Sequence, residues 1–203
     1  MIIHTKEDLF TGLRKTYLLG FPNVKPYANA TFEIQKLNTN DLIPSQKYYL
    51  KNKIQKLIEL QNNLRLNIFD LDGYISFFDT DLKKRLGLTP PFVEVENGKL
   101  VVLDGMHRVM LARLQDKSIN CVVISNYDTN YLSYAKPNEN GWEDVVEFEE
   151  KVPDGFKTRE HRYGDDYRKY ARTFALDGDV LIPRAHSLKS KLYRELLAQD
   201  RGR

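Results

Sequence analysis

The chain contains very little cysteine and has no long apolar run. Cys121 is the single cysteine among 203 residues, which excludes an internal disulfide framework and any zinc site that needs several cysteines. It lies in a β-rich run, so we expect it in the core and not in a reactive site. No stretch of about 18 apolar residues occurs, so we expect no membrane-spanning helix. The first residues also lack the basic-then-apolar order of a secretory signal, and we therefore expect a cytoplasmic protein with no membrane partner.

Charge of one sign is not in large excess either. Lys and Arg total 31 against 28 Asp and Glu, a net charge of +3, which does not by itself indicate nucleic acid. Hydrophobic residues make up 41% and charged residues 29%, a composition typical of a globular domain and not of a disordered chain. The positive excess lies in residues 151–203, which hold 13 basic and 8 acidic side chains. The basic side chains of this segment can bind phosphates or an acidic partner, or they can be solvated. Within the segment, Ser187 predicts the start of a last helix.

The first 64 residues hold signals for two helices and one strand. Thr5 and Asp8 form a helix-opening cap, and apolar residues at helical spacing predict a helix that stops near Gly20. Alternation over residues 31–35 predicts a short strand. An amphipathic pattern over residues 49–64 predicts the second helix.

A β-hairpin is the strongest local signal. Residues 92–103 form two β-rich runs separated by Asn97-Gly98, the preferred two-residue turn, because both positions take positive φ. Residues 119–125 are again β-rich and predict a buried strand. Before the hairpin, residues 82–86 predict a short helix.

The residues with the clearest chemistry follow the hairpin directly: Asp104, Gly105, Met106, His107 and Arg108. A strand ends there and a helix begins, and a helix start attracts phosphate through its unpaired N–H groups and its positive dipole end. Gly105 permits a close approach of the ligand, Arg108 can bind phosphate through two hydrogen bonds, and His107 can donate another. Asp104 can hold Mg²⁺ or accept a proton from a substrate hydroxyl. On spacing alone, an ordinary Asp-Gly turn with a solvated helix start explains the same residues.

Residues 101–113 resemble the signature of the ParB N-terminal/sulfiredoxin-like superfamily, whose members carry Gly-x-His-Arg or Gly-Glu-Arg-Arg at such a turn. The similarity covers residues 32–126 and includes the family's Leu-x-Pro segment at residues 42–44. The resemblance implies an α+β fold with a small mixed sheet and helices. It implies a nucleotide-binding core over residues 32–126, a helical extension over residues 1–31 and a basic extension packed on the core over residues 127–203.

The resemblance also implies a nucleotide site formed by Gly105, Met106, His107 and Arg108, but the branches of the superfamily differ in chemistry. Sulfiredoxins place a cysteine where this chain has Met106, which cannot form a thiolate. Chromosome-partitioning ParB proteins bind CTP and carry a Glu-Asn-x-x-Arg element and a helix-turn-helix domain. Residues 126–130 do not match that element, and the residues after them are too irregular and too few for that domain.

The free serine kinase-like branch has the chemistry that fits these residues best, because it moves phosphate from a nucleotide to a small hydroxyl compound. Its catalytic glutamate follows the Leu-x-Pro segment, where this chain has Gln46, which cannot act as a general base. Asp104 is the best replacement, since it lies beside the phosphate site. Asp70 and Asp72 are second candidates, although an aspartate-rich turn explains them equally well. The predicted catalytic residues are therefore Asp104, His107 and Asp72, with Asp104 also as the metal ligand.

We therefore predict a nucleotide-dependent phosphotransferase that acts on a small hydroxylated metabolite such as a sugar, polyol or amino acid. ATP or ADP is favoured over CTP as the nucleotide, with Mg²⁺ as cofactor. The alternative is a ParB-type nucleotide-binding regulator or DNA-associated protein without kinase activity. Residues 156–170 interleave basic and aromatic side chains, which can stack on bases, line a substrate pocket or form a solvated surface, so nucleic acid is a possible but not a favoured partner. Nuclease activity ranks last, because no dedicated two-metal carboxylate cluster is evident.

Overall fold

Three α-helices separate runs of strands along the chain. The structure is a computed structural model and describes residues 2–79 and 84–174. The strands are β1 (Ile2–His4), β2 (Tyr17–Leu18), β3 (Thr31–Leu37), β4 (Leu42–Pro44), β5 (Tyr48–Leu50), β6 (Tyr74–Asp79), β7 (Lys84–Leu88), β8 (Phe92–Glu96), β9 (Lys99–Asp104), β10 (Ile119–Ser125), β11 (Val146–Phe148) and β12 (Arg172–Thr173), and the helices are α1 (Lys6–Arg14), α2 (Lys51–Leu64) and α3 (Met106–Leu114). The predicted α+β class is confirmed.

A five-stranded mixed sheet lies at the centre, with the strand order β3-β10-β8-β9-β4. β8 and β9 are the predicted hairpin, and Asn97 and Gly98 have φ values of 50° and 75°, as a two-residue turn of this kind requires. β10 has the predicted bounds and runs antiparallel to β3 and parallel to β8. β4 is parallel to β9. The Leu-x-Pro segment in β4 therefore lies beside β9, whose last residue is Asp104.

The sheet carries a separate apolar cluster on each face, because alternate residues of a strand point to opposite sides. One cluster joins the sheet to α2 and α3 through Ile54, Val102 and Val109. The other joins the sheet to α1 through Leu9 and Leu13. Burying an aliphatic side chain of this size contributes about 1.5–3 kcal/mol, so these clusters fix the three helices on the sheet.

Helix α1 begins as the sequence predicts and ends earlier. Thr5 Oγ1 accepts from the Asp8 N–H at 3.2 Å, and the Asp8 carboxylate accepts from the Thr5 N–H at 3.0 Å, which is a complete capping box. The helix ends at Arg14 and not near Gly20. The residues after it form β2, which pairs with β12. Pairing with a distant strand therefore overrides the local helical pattern.

The short helix predicted over residues 82–86 is wrong where the structure describes it. Residues 84–88 form β7, which pairs antiparallel with β6, and Gly87 lies opposite Ser76 inside this pair. A window of five residues cannot separate a strand from a helix by periodicity, and the partner strand decided the outcome. Residues 82 and 83 lie outside the described residues.

The C-terminal segment adds short strands to earlier parts of the chain. β11 runs parallel to β5, and β12 runs antiparallel to β2. Because Tyr49 and Leu50 pair with β11, the helix predicted from residue 49 begins only at Lys51. Leu50 is the extended N-cap residue, with φ −109° and ψ 124°. The start of α2 is therefore set by a strand that lies about 100 residues later in the chain.

The predicted division of the chain into a helical extension (residues 1–31), a core (32–126) and a basic extension (127–203) stays a prediction. The helix predicted from Ser187 lies outside the described residues. No helix in the described ranges is both long and apolar enough to cross a membrane.

Candidate functional site

The turn between β9 and α3 leaves a helix start without a side-chain cap. Gly105 is the N-cap residue, with φ 84° and ψ 19°, and the first turn of α3 contains no acidic residue. Asp or Glu would be favourable there, because the N-terminal end of a helix is positive. Met106 and His107 thus present first-turn N–H groups that the helix itself does not satisfy. The strand-glycine-helix arrangement predicted for residues 104–108 is present.

Only glycine fits between β9 and α3. A Cβ at Gly105 would lie 2.7 Å from Arg108 Nη2 and 2.9 Å from the Cα of Pro91. Both separations are far shorter than ordinary van der Waals contact, and the positive φ adds strain for any other residue. The bare backbone of Gly105 therefore lies directly beside the Arg108 guanidinium.

Gly105→Ala is expected to lower the free energy of unfolding by about 2–3 kcal/mol, because positive φ and close contact both penalise the new methyl group. Gly98→Ala is the matched control, since Gly98 has φ 75° and no heavy atom within 4 Å of the added Cβ. We expect the control to lose only about 1–2 kcal/mol from its φ alone. Urea denaturation measures both. Equal losses would show that the close packing at Gly105 does not matter.

Arg108 is buried with part of its hydrogen-bonding capacity unused. The residue is 8% exposed, and its Nη2 lies 3.5 Å from Asp104 Oδ2. Its Nη1 is buried and has no hydrogen-bond partner in the described part of the chain. Burial lowers the pKa of Arg108, with the Asp104 carboxylate acting in the opposite direction. A buried guanidinium with a free donor is costly unless an acceptor completes it.

His107 is an uncharged acceptor at neutral pH. Its Nε2 lies 3.1 Å from the N–H of Leu50 and accepts from it, so the proton of the neutral ring sits on Nδ1. Burial lowers the pKa of His107 to about 4. The positive charges of Lys53, Arg159 and Arg108 act in the same direction. Of the two ring nitrogens, only Nδ1 is left to donate to a ligand, as the sequence predicts for His107.

The depressed pKa of His107 gives a signed pH dependence. An unfolded histidine titrates near 6.5, so between pH 6.5 and 4 the unfolded state binds the extra proton and stability falls as the pH is lowered. We expect this site to account for a loss of about 2–3 kcal/mol over that window. His107→Gln removes the titration and should flatten the curve of unfolding free energy against pH by that amount. If the curves of unfolding free energy against pH are parallel for the wild type and His107→Gln, the lowered pKa of His107 is contradicted.

Arg159 reaches the same region from the C-terminal segment. Its Nη1 donates to the backbone oxygen and the Oγ of Ser45 at 3.2 and 3.0 Å, and its Nη2 donates to Gln46 Oε1 at 2.9 Å. Gln46 Nε2 in turn donates to the Tyr48 carbonyl at 2.7 Å. At the position where the predicted resemblance to the kinase-like branch implies a catalytic glutamate, Gln46 is a buried amide held by hydrogen bonds.

The predicted carboxylates lie in different surroundings. Asp104 belongs to the turn, and its side chain is 17% exposed. Asp72 is exposed in the loop before β6, where the neighbouring Leu71 carbonyl accepts from Asn120 Nδ2 at 3.3 Å. Among the described residues, no three His, Cys, Asp or Glu side chains group so as to hold a metal. A single carboxylate such as that of Asp104 is sufficient for a Mg²⁺ ion that takes its other ligands from phosphates and water, as Mg²⁺ often does beside nucleotides.

Neither sulfur atom near the turn is a nucleophile. Met106 is 5% exposed, and Cys121 is completely buried in the core, as the sequence predicts. Burial raises the pKa of the Cys121 thiol to about 12, with Arg108 acting in the opposite direction. The thiol is therefore protonated at neutral pH, and thiolate chemistry has no candidate here.

A protein-family model matches most of the chain. The model of the ParB CE domain matches residues 8–146, more than half of the chain. The chain belongs to the ParB CE domain family. This confirms the ParB-like part of the predicted resemblance. Neither the curated proteins nor the solved structures gave a match. The ParB CE match contains the β9–α3 turn and ends before Arg159.

Two cations of the site were not predicted as site residues. Arg159 lies within residues 156–170, the basic and aromatic segment, but that pattern does not tell which of its arginines turns inward. Lys53 is one of several lysines of α2, and only the position of the α2 N-terminus beside His107 distinguishes it. In the ParB CE chain the position of Lys53 follows from the pairing of β5 with β11, and that of Arg159 from its hydrogen bonds to Ser45 and Gln46.

Proposed function

We propose that this ParB CE chain binds the phosphates of a nucleotide at the β9–α3 turn and transfers a phosphoryl group to a small hydroxylated metabolite. The observation that carries the proposal is the buried Nη1 of Arg108, which lacks a partner among the described residues and belongs to the first turn of an uncapped helix. A phosphate oxygen satisfies both features at once. The resemblance to the kinase-like branch supports ATP or ADP as the nucleotide.

Phosphoryl transfer needs mainly positioning and the neutralisation of negative charge. The first-turn N–H groups of α3 and the Arg108 guanidinium supply fixed donors to the phosphates. Asp104 is the residue that would hold Mg²⁺, which supplies further charge neutralisation when bound. Asp104 is also the carboxylate of the turn that can accept the proton of the acceptor hydroxyl. Gln46 has no such capacity, because an amide does not take up a proton at neutral pH.

Asp104→Asn is expected to reduce phosphoryl transfer by at least about 100-fold, because it removes the proton acceptor and the charge that attracts the metal. Nucleotide affinity should change much less. The measurement is consumption of ATP or ADP with Mg²⁺ and a panel of hydroxylated acceptors. Asp72→Asn serves as the comparison. Full turnover in Asp104→Asn, or loss of turnover in Asp72→Asn alone, would refute the role given to Asp104.

The second candidate is a ParB-type nucleotide-binding regulator or DNA-associated protein, and the ParB CE match is compatible with both candidates. Against direct base stacking, the aromatic rings of the C-terminal segment already stack on each other. The His161 and Tyr167 rings lie 3.7 Å apart, and the Tyr163 and Tyr170 rings 3.6 Å apart. A gel-shift assay at low salt decides this candidate, since binding through phosphates weakens steeply as salt rises.

A further inference from the structure

The first turns of α2 and α3 meet at His107. This residue is the second of α3, and its ring accepts from the N–H of Leu50, the N-cap residue of α2. Neither helix has a side-chain cap or an acidic residue in its first turn. Two positive helix ends therefore lie close together without the negative side chains that such ends favour.

Arg159 adds a buried charge to this positive region without a counter-ion. It is 8% exposed, and all three of its hydrogen bonds go to uncharged acceptors, the Ser45 backbone oxygen, the Ser45 hydroxyl and the Gln46 amide. No carboxylate of the described residues lies within ion-pair distance of it. A buried charge in this condition is strongly unfavourable unless a ligand compensates it.

The two other arginines that the same segment turns toward the sheet are compensated. Arg162 Nη2 lies 2.5 Å from Glu96 Oε1. Arg172 Nη2 lies 3.0 Å from Glu94 Oε1. Burial in this segment is thus matched by a carboxylate in two cases, and only Arg159 among these three lacks one. The difference indicates that no described residue supplies the counter-charge of Arg159.

Lys53 extends the positive region on the side of α2. It lies in the first turn of that helix and is exposed to solvent. It too has no carboxylate within ion-pair distance in the described part of the chain. Lys56 on the same helix acts on Lys53, and Lys53, Arg159 and Arg108 all act on His107. Among the described residues, Asp104 is the carboxylate that pairs with Arg108.

We infer that Arg159 and Lys53 form an anion subsite, separate from the phosphate position at Gly105 and Arg108, that binds the acidic group of the acceptor substrate. The acceptor is then a hydroxylated compound that also carries a carboxylate or a phosphate, and not a neutral sugar or polyol. This inference rests on the proposed function for the identity of the neighbouring ligand. Arg159 lies outside the residues that match the ParB CE domain, so the subsite depends on the C-terminal segment of this chain.

The test is calorimetric titration of the full chain, with ADP and Mg²⁺ present, using glycerate, glycerol 3-phosphate and neutral glycerol as probes. We expect at least one of the two anionic probes to bind and glycerol not to bind. The preference between glycerate and glycerol 3-phosphate tells whether the group is a carboxylate or a phosphate. Arg159→Gln and Lys53→Gln should each weaken the anionic probe at least about tenfold, and each should change ADP affinity by less than about threefold.

Two controls, one conservative variant and one variant with an internal counter-ion keep the outcome interpretable. Arg168→Gln and Lys51→Gln remove exposed cations of the same segment and the same helix turn, and they should leave probe affinity unchanged. If Arg159→Gln does not fold, Arg159→Lys should retain part of the affinity. Gln46→Glu should abolish it, because the new carboxylate would compensate Arg159 from within.

Two results would overturn the subsite. One is binding of the anionic probes that is no tighter than that of glycerol. The other is an equal loss of ADP and probe affinity in Arg159→Gln, which would assign these cations to the nucleotide phosphates. Failure of the proposed function looks different: ADP does not bind, while the anionic probe without ADP still depends on Arg159 and Lys53.

Discussion

Replacing Glu94 with alanine is expected to lower the free energy of unfolding by about 3–5 kcal/mol, because it breaks a buried ion pair. Glu94 and Arg172 are each 1% exposed, and their ion pair measures 3.0 Å. The Tyr27 hydroxyl also donates to the Glu94 carboxylate. Removing Glu94 leaves the Arg172 guanidinium buried without its counter-ion, and it leaves the Tyr27 hydroxyl without its acceptor.

Urea denaturation measures this loss against a matched exposed pair. Asp70→Ala removes the partner of Lys36, 2.7 Å away at the surface, and it should cost less than about 1 kcal/mol. The double variant Glu94→Leu with Arg172→Met should recover most of the loss, because it removes both charges from the interior. If Glu94→Ala loses no more unfolding free energy than Asp70→Ala, the Glu94–Arg172 ion pair does not stabilise the packing of β12 against the sheet.

Replacing Arg108 with glutamine is expected to weaken nucleotide binding by at least about 100-fold, because it removes the buried charge that we propose as the phosphate ligand. The measurement is a thermal-shift panel of ATP, ADP, CTP and GTP with Mg²⁺. A nucleotide at 100 times its dissociation constant should stabilise the wild-type chain by about 2.7 kcal/mol. The same concentration should barely stabilise Arg108→Gln.

Arg113 provides the control for this variant, because it lies on the same helix and stacks over the Trp142 ring at 5.0 Å, away from the turn. Arg113→Gln should keep the full nucleotide-dependent shift. A shift that survives in Arg108→Gln would place the nucleotide elsewhere in the chain.

Elements fixed by local chemistry could be predicted from the sequence. The Asn97-Gly98 turn needs positive φ at two consecutive positions, and the structure has it. The glycine between β9 and α3 is similarly local, because Gly105 alone permits φ 84° and the approach of Arg108. The capping box of Thr5 is a third example. For the hairpin turn and the capping box, neighbours within about five residues decide the conformation, and at Gly105 the more distant Pro91 adds a second constraint.

Features fixed by distant partners could not be predicted. Residues 84–88 became a strand because β6 pairs with them, and α2 starts at Lys51 because β11 pairs with β5. The same holds for Arg159, which is 113 positions away from Gln46, its hydrogen-bond partner. The sequence indicated a phosphate site at the β9–α3 turn, but the second half of the positive region depends on long-range contacts that no local pattern encodes.

A titration of the full chain with ADP and Mg²⁺, followed through its backbone amide NMR signals, tests most directly whether the β9–α3 turn holds nucleotide phosphates. We expect the largest shifts at the amides of Gly105, Met106 and His107, because these groups would donate to or border the bound phosphates. Saturating shifts elsewhere in the chain, with these three signals unmoved, would contradict the assignment of the turn as the phosphate site.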